Sequence, residues 1–235
     1  MTQNRSTAVM QQRKEAPDSL DYFPTPPWAT RALCERLMRL QPLTMLNCWE
    51  PACGEGHMAR PLAEYFNQVF ASDVHDYTAT YPDQDFEGDF LTDWDHPTHF
   101  MGTDCGPDWV ITNPPFNLAE QFVFTSLRRA REGCAMLLRT SFLEGQARYK
   151  SLFSVNPPSL ILQFTERVPM FKGHLDRTGS SATSYCWLVW ETRPGLTGQF
   201  EWIAPCRKRL EQARDYPDTK ADPAAAPLFE GVKHG

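Results

Sequence analysis

Asp108-Trp109-Val110-Ile111-Thr112-Asn113-Pro114-Pro115-Phe116 is an apolar run that ends abruptly in an amide, two prolines and an aromatic ring. Trp109, Val110 and Ile111 favour extended structure, and a proline drives the residue before it into an extended conformation. The stretch therefore reads as a buried strand whose last polar side chain, that of Asn113, projects from the carboxyl edge of a sheet. Open α/β sheets bind their ligands at that edge. Pro114 and Pro115 fix φ and carry no N–H, which leaves the carbonyls of Asn113 and Pro114 rigid acceptors. Two fixed acceptors beside the Phe116 ring describe a pocket for an aromatic amine. Without a ligand, the same residues are a strand followed by a Pro-Pro turn.

Upstream, Thr44 to Trp49 is a short apolar strand that runs into Glu50-Pro51-Ala52-Cys53-Gly54-Glu55-Gly56 and then a helix from His57. Strand, glycine turn and helix make a nucleotide-type loop, in which Gly54 and Gly56 are expected to clear side chains from a ligand's path. The loop is neither Gly-x-Gly-x-x-Gly nor a Walker loop, so it is not read as a phosphate cradle; a carboxylate at Glu50 suits an ammonium or a ribose instead. Ahead of it, Phe23-Pro24-Thr25-Pro26-Pro27-Trp28 is a stiff lead-in, with Pro27 in the first turn of a helix whose apolar stripe continues through Leu33, Leu37 and Leu40. Thr25 is either the cap of that helix or a hydroxyl reaching a ligand.

Gln68 to Val74 reads as a second strand. Its Asp73 follows the glycine loop by about twenty residues, the separation of a ribose-binding acid, although an aspartate at a strand end also forms turns. Gln84 to Leu91 is a third strand that closes on Asp89, an acceptor for an exocyclic amine, and Phe90, a cover for an adenine face. After the central strand come a helix over 118–131, a strand at 133–139, a helix near 143–153, and strands at 159–164 and 183–190. The loop between these last two strands holds Phe171, Lys172 and Arg177. Strands alternating with helices predict a doubly wound α/β sheet.

The 235 residues suffice for one well-cored domain. Residues 1–20 are polar and aperiodic, which predicts a disordered arm; 21–204 form the domain, and from 205 a basic, then Pro- and Ala-rich stretch predicts a mobile tail. The seven cysteines include no Cys-x-x-Cys pair and lie mostly in apolar segments, which suits reduced thiols in the cytoplasm. His96 and His99 lack a matching ligand set, so no metal site is read. No apolar run reaches the length of a membrane span, and no signal-peptide core opens the chain. The net charge of −6 is unevenly spread: residues 21–127 hold 16 acidic and 4 basic side chains, whereas 128–209 hold 13 basic and 6 acidic. The second half thus presents either a basic face to a polyanion or solvated helix faces.

Glycine loop, acid after the second strand, acid and aromatic after the third, and Asn-Pro-Pro-Phe after the fourth together resemble the class I S-adenosylmethionine-dependent methyltransferases, over about residues 22 to 190. More narrowly, the order of motifs is similar to that of the γ-type DNA adenine-N6 enzymes, in the compact form of small bacterial and phage members. The resemblance implies a Rossmann-like sheet, mostly parallel with an antiparallel final strand. It implies S-adenosyl-L-methionine held by Thr25, Glu50, Ala52, Gly54 and Gly56 at its methionine part, Asp73 at the ribose, and Asp89 with Phe90 at the adenine. It further implies that Asn113, Pro114, Pro115 and Phe116 hold a target adenine in DNA, flipped out or taken from a single strand. Phe171 is the candidate second aromatic, and Lys172 and Arg177 are candidate phosphate contacts. The chain leaves no room for the recognition domain of larger γ-type enzymes, and Asn-Pro-Pro-aromatic also occurs in enzymes acting on RNA bases or protein glutamine. Those substrates, and a non-catalytic nucleic-acid-binding module, are the alternatives. Oligomeric state is not legible.

Overall fold

The computed structural model describes residues 22–92, 106–192 and 198–216. The expected amino-terminal arm, His96 and His99, and the tail from 217 onward lie outside the described residues.

The central stretch is strand β4 (Trp109–Thr112), all four residues of which are buried. It lies between β1 (Asn47–Glu50) and β5 (Gly133–Arg139), parallel to both. Beyond β1 come β2 (Gln68–Asp73) and the two-residue β3 (Phe86–Glu87), also parallel. Beyond β5 the order is β7 (Tyr185–Glu191), β6 (Leu160–Phe164) and β8 (Gln199–Ile203), giving an eight-stranded sheet β3-β2-β1-β4-β5-β7-β6-β8. β7 runs antiparallel to both neighbours, whereas β8 is parallel to β6. The α/β, mostly parallel architecture is the expected one. The antiparallel strand is β7, and the chain continues past it into β8.

β8 was not read from sequence, although Gln199-Phe200-Glu201-Trp202 alternates as a strand does; its large apolar side chains, Phe200 and Trp202, are exposed at the sheet's edge, while Glu201 between them pairs with Arg36.

Burial of both sheet faces explains the near-continuous apolar runs of the central strands. On one face, helix α1 (Pro27–Leu37) packs Trp28, Leu33 and Leu37 against Trp109, Ile111, Leu137 and Trp187. On the other, helix α3 (Ala119–Arg129) packs Phe122 and Val123 against Val110, Met136, Leu138 and Trp190. The short helix α2 (Ala59–Leu62) follows the glycine loop. At the amino ends of the strands, Asp108 accepts from the Asn47 amide at 2.7 Å and pairs with Arg131, tying β1, β4 and the approach to β5 together.

Residues 205–216, assigned by sequence to the tail, are folded onto α1. Helix α4 (Arg207–Leu210) buries Leu210 in the α1-side core. The buried Arg31 guanidinium donates to Asp215 at 2.7 and 2.8 Å, to Glu64 at 2.8 Å and to the Leu210 carbonyl at 2.8 Å. A buried cation is tolerated only when so fully paired, so this contact fixes the chain up to Asp215. None of the six described cysteines forms a disulfide, and no described helix is long and apolar enough to cross a membrane.

Candidate functional site

A cleft of about 740 Å³ opens at the carboxyl ends of β1, β2 and β4, within the usual size range of small-molecule sites. Its walls include Thr25, Glu50, Ala52, Asp73, Asp89, Phe90, Asn113 and Pro115, so residues from all four predicted motifs meet in one space.

Glu50 ends β1 and is 1 % exposed. One carboxylate oxygen accepts from the Ala52 amide at 3.2 Å; Oε2 has no hydrogen-bond partner among the described residues. Burial pushes the carboxyl up to about 8, against the opposing pull of the Ala52 amide and of the Thr112 hydroxyl, which lies nearby without forming a hydrogen bond among the described residues. A buried acid with an unpaired oxygen is stable when neutral or when a cation enters beside it. Asp73, at the end of β2, spans the loop: Oδ2 accepts from the Gly54 amide at 2.9 Å and Oδ1 from the His75 amide at 3.0 Å. Burial raises its pKa while these two amides lower it. Asp89 is exposed and accepts from the Leu91 amide at 2.8 Å.

Phe90 lines the cleft, yet it is 2 % exposed and set edge-on to Trp49 at 4.9 Å and tilted against Phe122 at 5.0 Å. It is a core ring with one side toward the cleft. Gly54 and Gly56 are not wall residues. Their φ angles of +48° and +75° demand glycine, and a Cβ at either would stand 2.5 Å from a ring, of Tyr22 and Tyr81 respectively. The close approach that these glycines permit is therefore to the protein's own tyrosines. Thr25 does not cap α1; its hydroxyl faces the Met170 sulfur at 3.9 Å on the cleft wall.

Asn113 is oriented by the lead-in. Its Nδ2 donates to the Phe23 carbonyl at 2.9 Å and approaches the Met170 sulfur at 3.7 Å, while Oδ1 is buried without a hydrogen-bond partner among the described residues. Pro114 is buried and Phe116 half-buried; Phe116 lies outside the cleft wall, 5.2 Å from the Phe23 ring and beneath the Arg139 guanidinium.

The three loop candidates are not brought to the cleft. Phe171 stacks on His174 at 5.6 Å and its ring fills the space against Gly179. Lys172 is exposed, and Arg177 lies 3.7 Å from Glu211 and over the Tyr216 ring. The loop instead docks on the lead-in through Gly173, whose amide donates to the Tyr22 carbonyl at 2.9 Å. Sequence reasoning did not single out Tyr22, Phe23, Tyr77 and Gln121, which line the cleft. The aromatic pair ahead of the proline lead-in was the available signal for the first two; nothing in sequence marks the others.

No family model matches the chain, and no curated protein matches its sequence. Solved structures do resemble it. A protein of Listeria monocytogenes assigned as a class I S-adenosylmethionine-dependent methyltransferase superposes with a TM-score of 0.55 at 14 % identity, covering 79 % of this chain and 67 % of that one. The fold is that of the class I methyltransferases. An assigned RNA methyltransferase of Pyrococcus horikoshii shares this methyltransferase fold at a TM-score of 0.55 and 13 % identity, over 76 % of this chain and 90 % of that one. An assigned type I restriction modification subunit of Vibrio vulnificus gives 0.52 at 15 %, over 84 % of this chain and half of that one.

Proposed function

We propose that the chain transfers the methyl group of S-adenosyl-L-methionine to the exocyclic N6 of adenine in DNA. The observation that carries this reading is the Asn113 amide: its nitrogen is held by the Phe23 carbonyl, so its oxygen is fixed and unpaired beside Pro114 and Phe116. An unmet buried acceptor costs about 1–3 kcal/mol, and an amine N–H supplies the missing partner. The Vibrio modification subunit supports a nucleic-acid substrate of the DNA kind, and the Pyrococcus enzyme keeps RNA as the alternative.

The cleft fits the cofactor. Glu50, with its unpaired Oε2, suits the ammonium of the methionine part; Asp73 and Asp89 offer acceptors for ribose and adenine, and Phe90 gives an apolar side. When bound, S-adenosylmethionine supplies an electrophilic methyl on a sulfonium. The chain's task is to make a poor nucleophile effective, because the N6 lone pair is delocalised into the purine. Asn113 Oδ1 and the Pro114 carbonyl each accept an N6 proton, which turns the remaining lone pair toward the cleft, and Phe116 fixes the base plane. Asn113 is not a base. The amine becomes acidic only as the new N–C bond forms, and its proton then leaves to solvent.

The test is incubation with labelled cofactor and DNA, RNA or protein in parallel, followed by nucleoside and amino-acid analysis. N6-methyladenine from DNA is the expected product. Label in RNA or glutamine alone would move the reading to that substrate, and cofactor binding without transfer to any of them would leave a binding module.

A further inference from the structure

Arg139 ends β5, the strand beside β4, and its guanidinium carbon lies 3.8 Å from the centroid of the Phe116 ring. That is the separation of stacked planes, so the guanidinium occupies the ring face. Phe23, whose carbonyl orients Asn113, is the other ring within reach, at 5.9 Å. The arginine is half-buried, its Nε is buried with no hydrogen-bond partner, and no carboxylate pairs with it among the described residues. The contrast with Arg31 is sharp: that guanidinium engages two carboxylates and a carbonyl, whereas among the described residues this one engages the Phe116 and Phe23 rings.

A half-buried guanidinium resting on an aromatic face keeps its forked donors for a planar or anionic partner. Resting on the proposed nucleic-acid reading, we propose that Arg139 is a positioning residue for the target nucleotide. It holds the stacking face of Phe116 while no base is present, gives that face up to the incoming base, and turns its guanidinium to a phosphate of the same strand. Base insertion and backbone contact are thereby one exchange. The flat cation stands in for the base, so the ring is never left open to water.

The probe is an adenine-containing single-stranded oligonucleotide, titrated over a range of salt concentrations against the wild type, Arg139→Met and Arg139→Lys, with cofactor titrations and thermal melts alongside. Methionine keeps the bulk over the ring and removes the charge; lysine keeps the charge and removes the plane. Arg139→Met is expected to bind the oligonucleotide about tenfold more weakly, as for loss of a charged hydrogen bond. Its slope of log affinity against log salt should flatten by about 0.7, the value for one single-strand phosphate contact. Cofactor affinity and melting should match the wild type, and Arg139→Lys should keep the wild-type slope. A wild-type slope in Arg139→Met overturns the proposal while leaving the functional reading intact. A wild-type protein that neither binds the oligonucleotide nor methylates it overturns that reading, and this inference with it.

Discussion

The two sides of the sheet's carboxyl edge differ in how far their polar groups are already satisfied. On the β1–β2 side, Asp73 is held by two loop amides and Asp89 by one, so these acids organise their own turns before any ligand arrives. On the β4–β5 side, Asn113 Oδ1 and Arg139 Nε are buried and have no hydrogen-bond partner among the described residues. Glu50 sits at the boundary with one oxygen of each kind. Buried polar groups are normally paired; where an unpaired one lines the cleft, as at Glu50 and Asn113, an entering partner would satisfy it, whereas the paired acids first serve as scaffold.

The comparison breaks most readily at Asn113. If its oxygen acts only on the substrate, Asn113→Ala should lose about 10²–10³-fold in turnover, the scale for one oriented polar group at a reacting centre, with cofactor affinity nearly kept. Single-turnover rates beside cofactor titrations decide it. An equal fall in cofactor affinity would put Asn113 with the scaffold.

Glu50 sharpens the boundary through pH. The folded carboxyl keeps its proton up to about 8, whereas an ordinary one releases it near 4.5. The ligand-free protein should therefore hold this stability in full below 4.5, lose it progressively as pH rises to about 8, and level off above. Glu50→Gln cannot ionise and should remove that fall, a difference on the order of 3 kcal/mol at pH 7, while weakening cofactor binding. Denaturant titrations across pH read the first effect and calorimetry the second. A cationic partner that pulls Glu50 into its charged form should also release a proton on binding near neutral pH, seen as a buffer-dependent binding enthalpy.

Asp73→Ala should act on both sides of the distinction at once. It removes two bonds to loop amides as well as the proposed ribose acceptor, so the protein should lose about 1–3 kcal/mol of stability and bind cofactor more weakly. An effect on affinity alone would mean that the loop does not depend on this acid. The smallest change is expected at Arg177, whose pairing with Glu211 is 59 % exposed on the arginine side; Arg177→Ala should shift stability by less than about 1 kcal/mol, measured by the same denaturant titration.

The scaffold was the more legible half. Apolar runs ending in acids or amides announce buried strands and what they deliver, and β1, β2 and β4 bring Glu50, Asp73 and Asn113 to one cleft. What was not legible depends on contacts between distant segments. The lead-in's hold on Asn113 joins residues 90 apart. The need for Gly54 and Gly56 lies in the rings of Tyr22 and Tyr81, so a motif read as ligand clearance is also internal packing. Residues 205–216 look like tail because their composition is basic, yet Arg31, far upstream, supplies the partner that orders Asp215. Phe171 has the composition of a base-stacking residue, but His174 and Gly179 hold its ring within its own loop.

The most direct measurement of the central claim is single-turnover methyl transfer from labelled S-adenosylmethionine to an adenine-containing DNA oligonucleotide, by the wild type and by Asn113→Ala, with the product nucleosides resolved. The account predicts labelled N6-methyladenine from the wild type and almost none from Asn113→Ala at full cofactor occupancy. Equal yields of N6-methyladenine from the two proteins would contradict it.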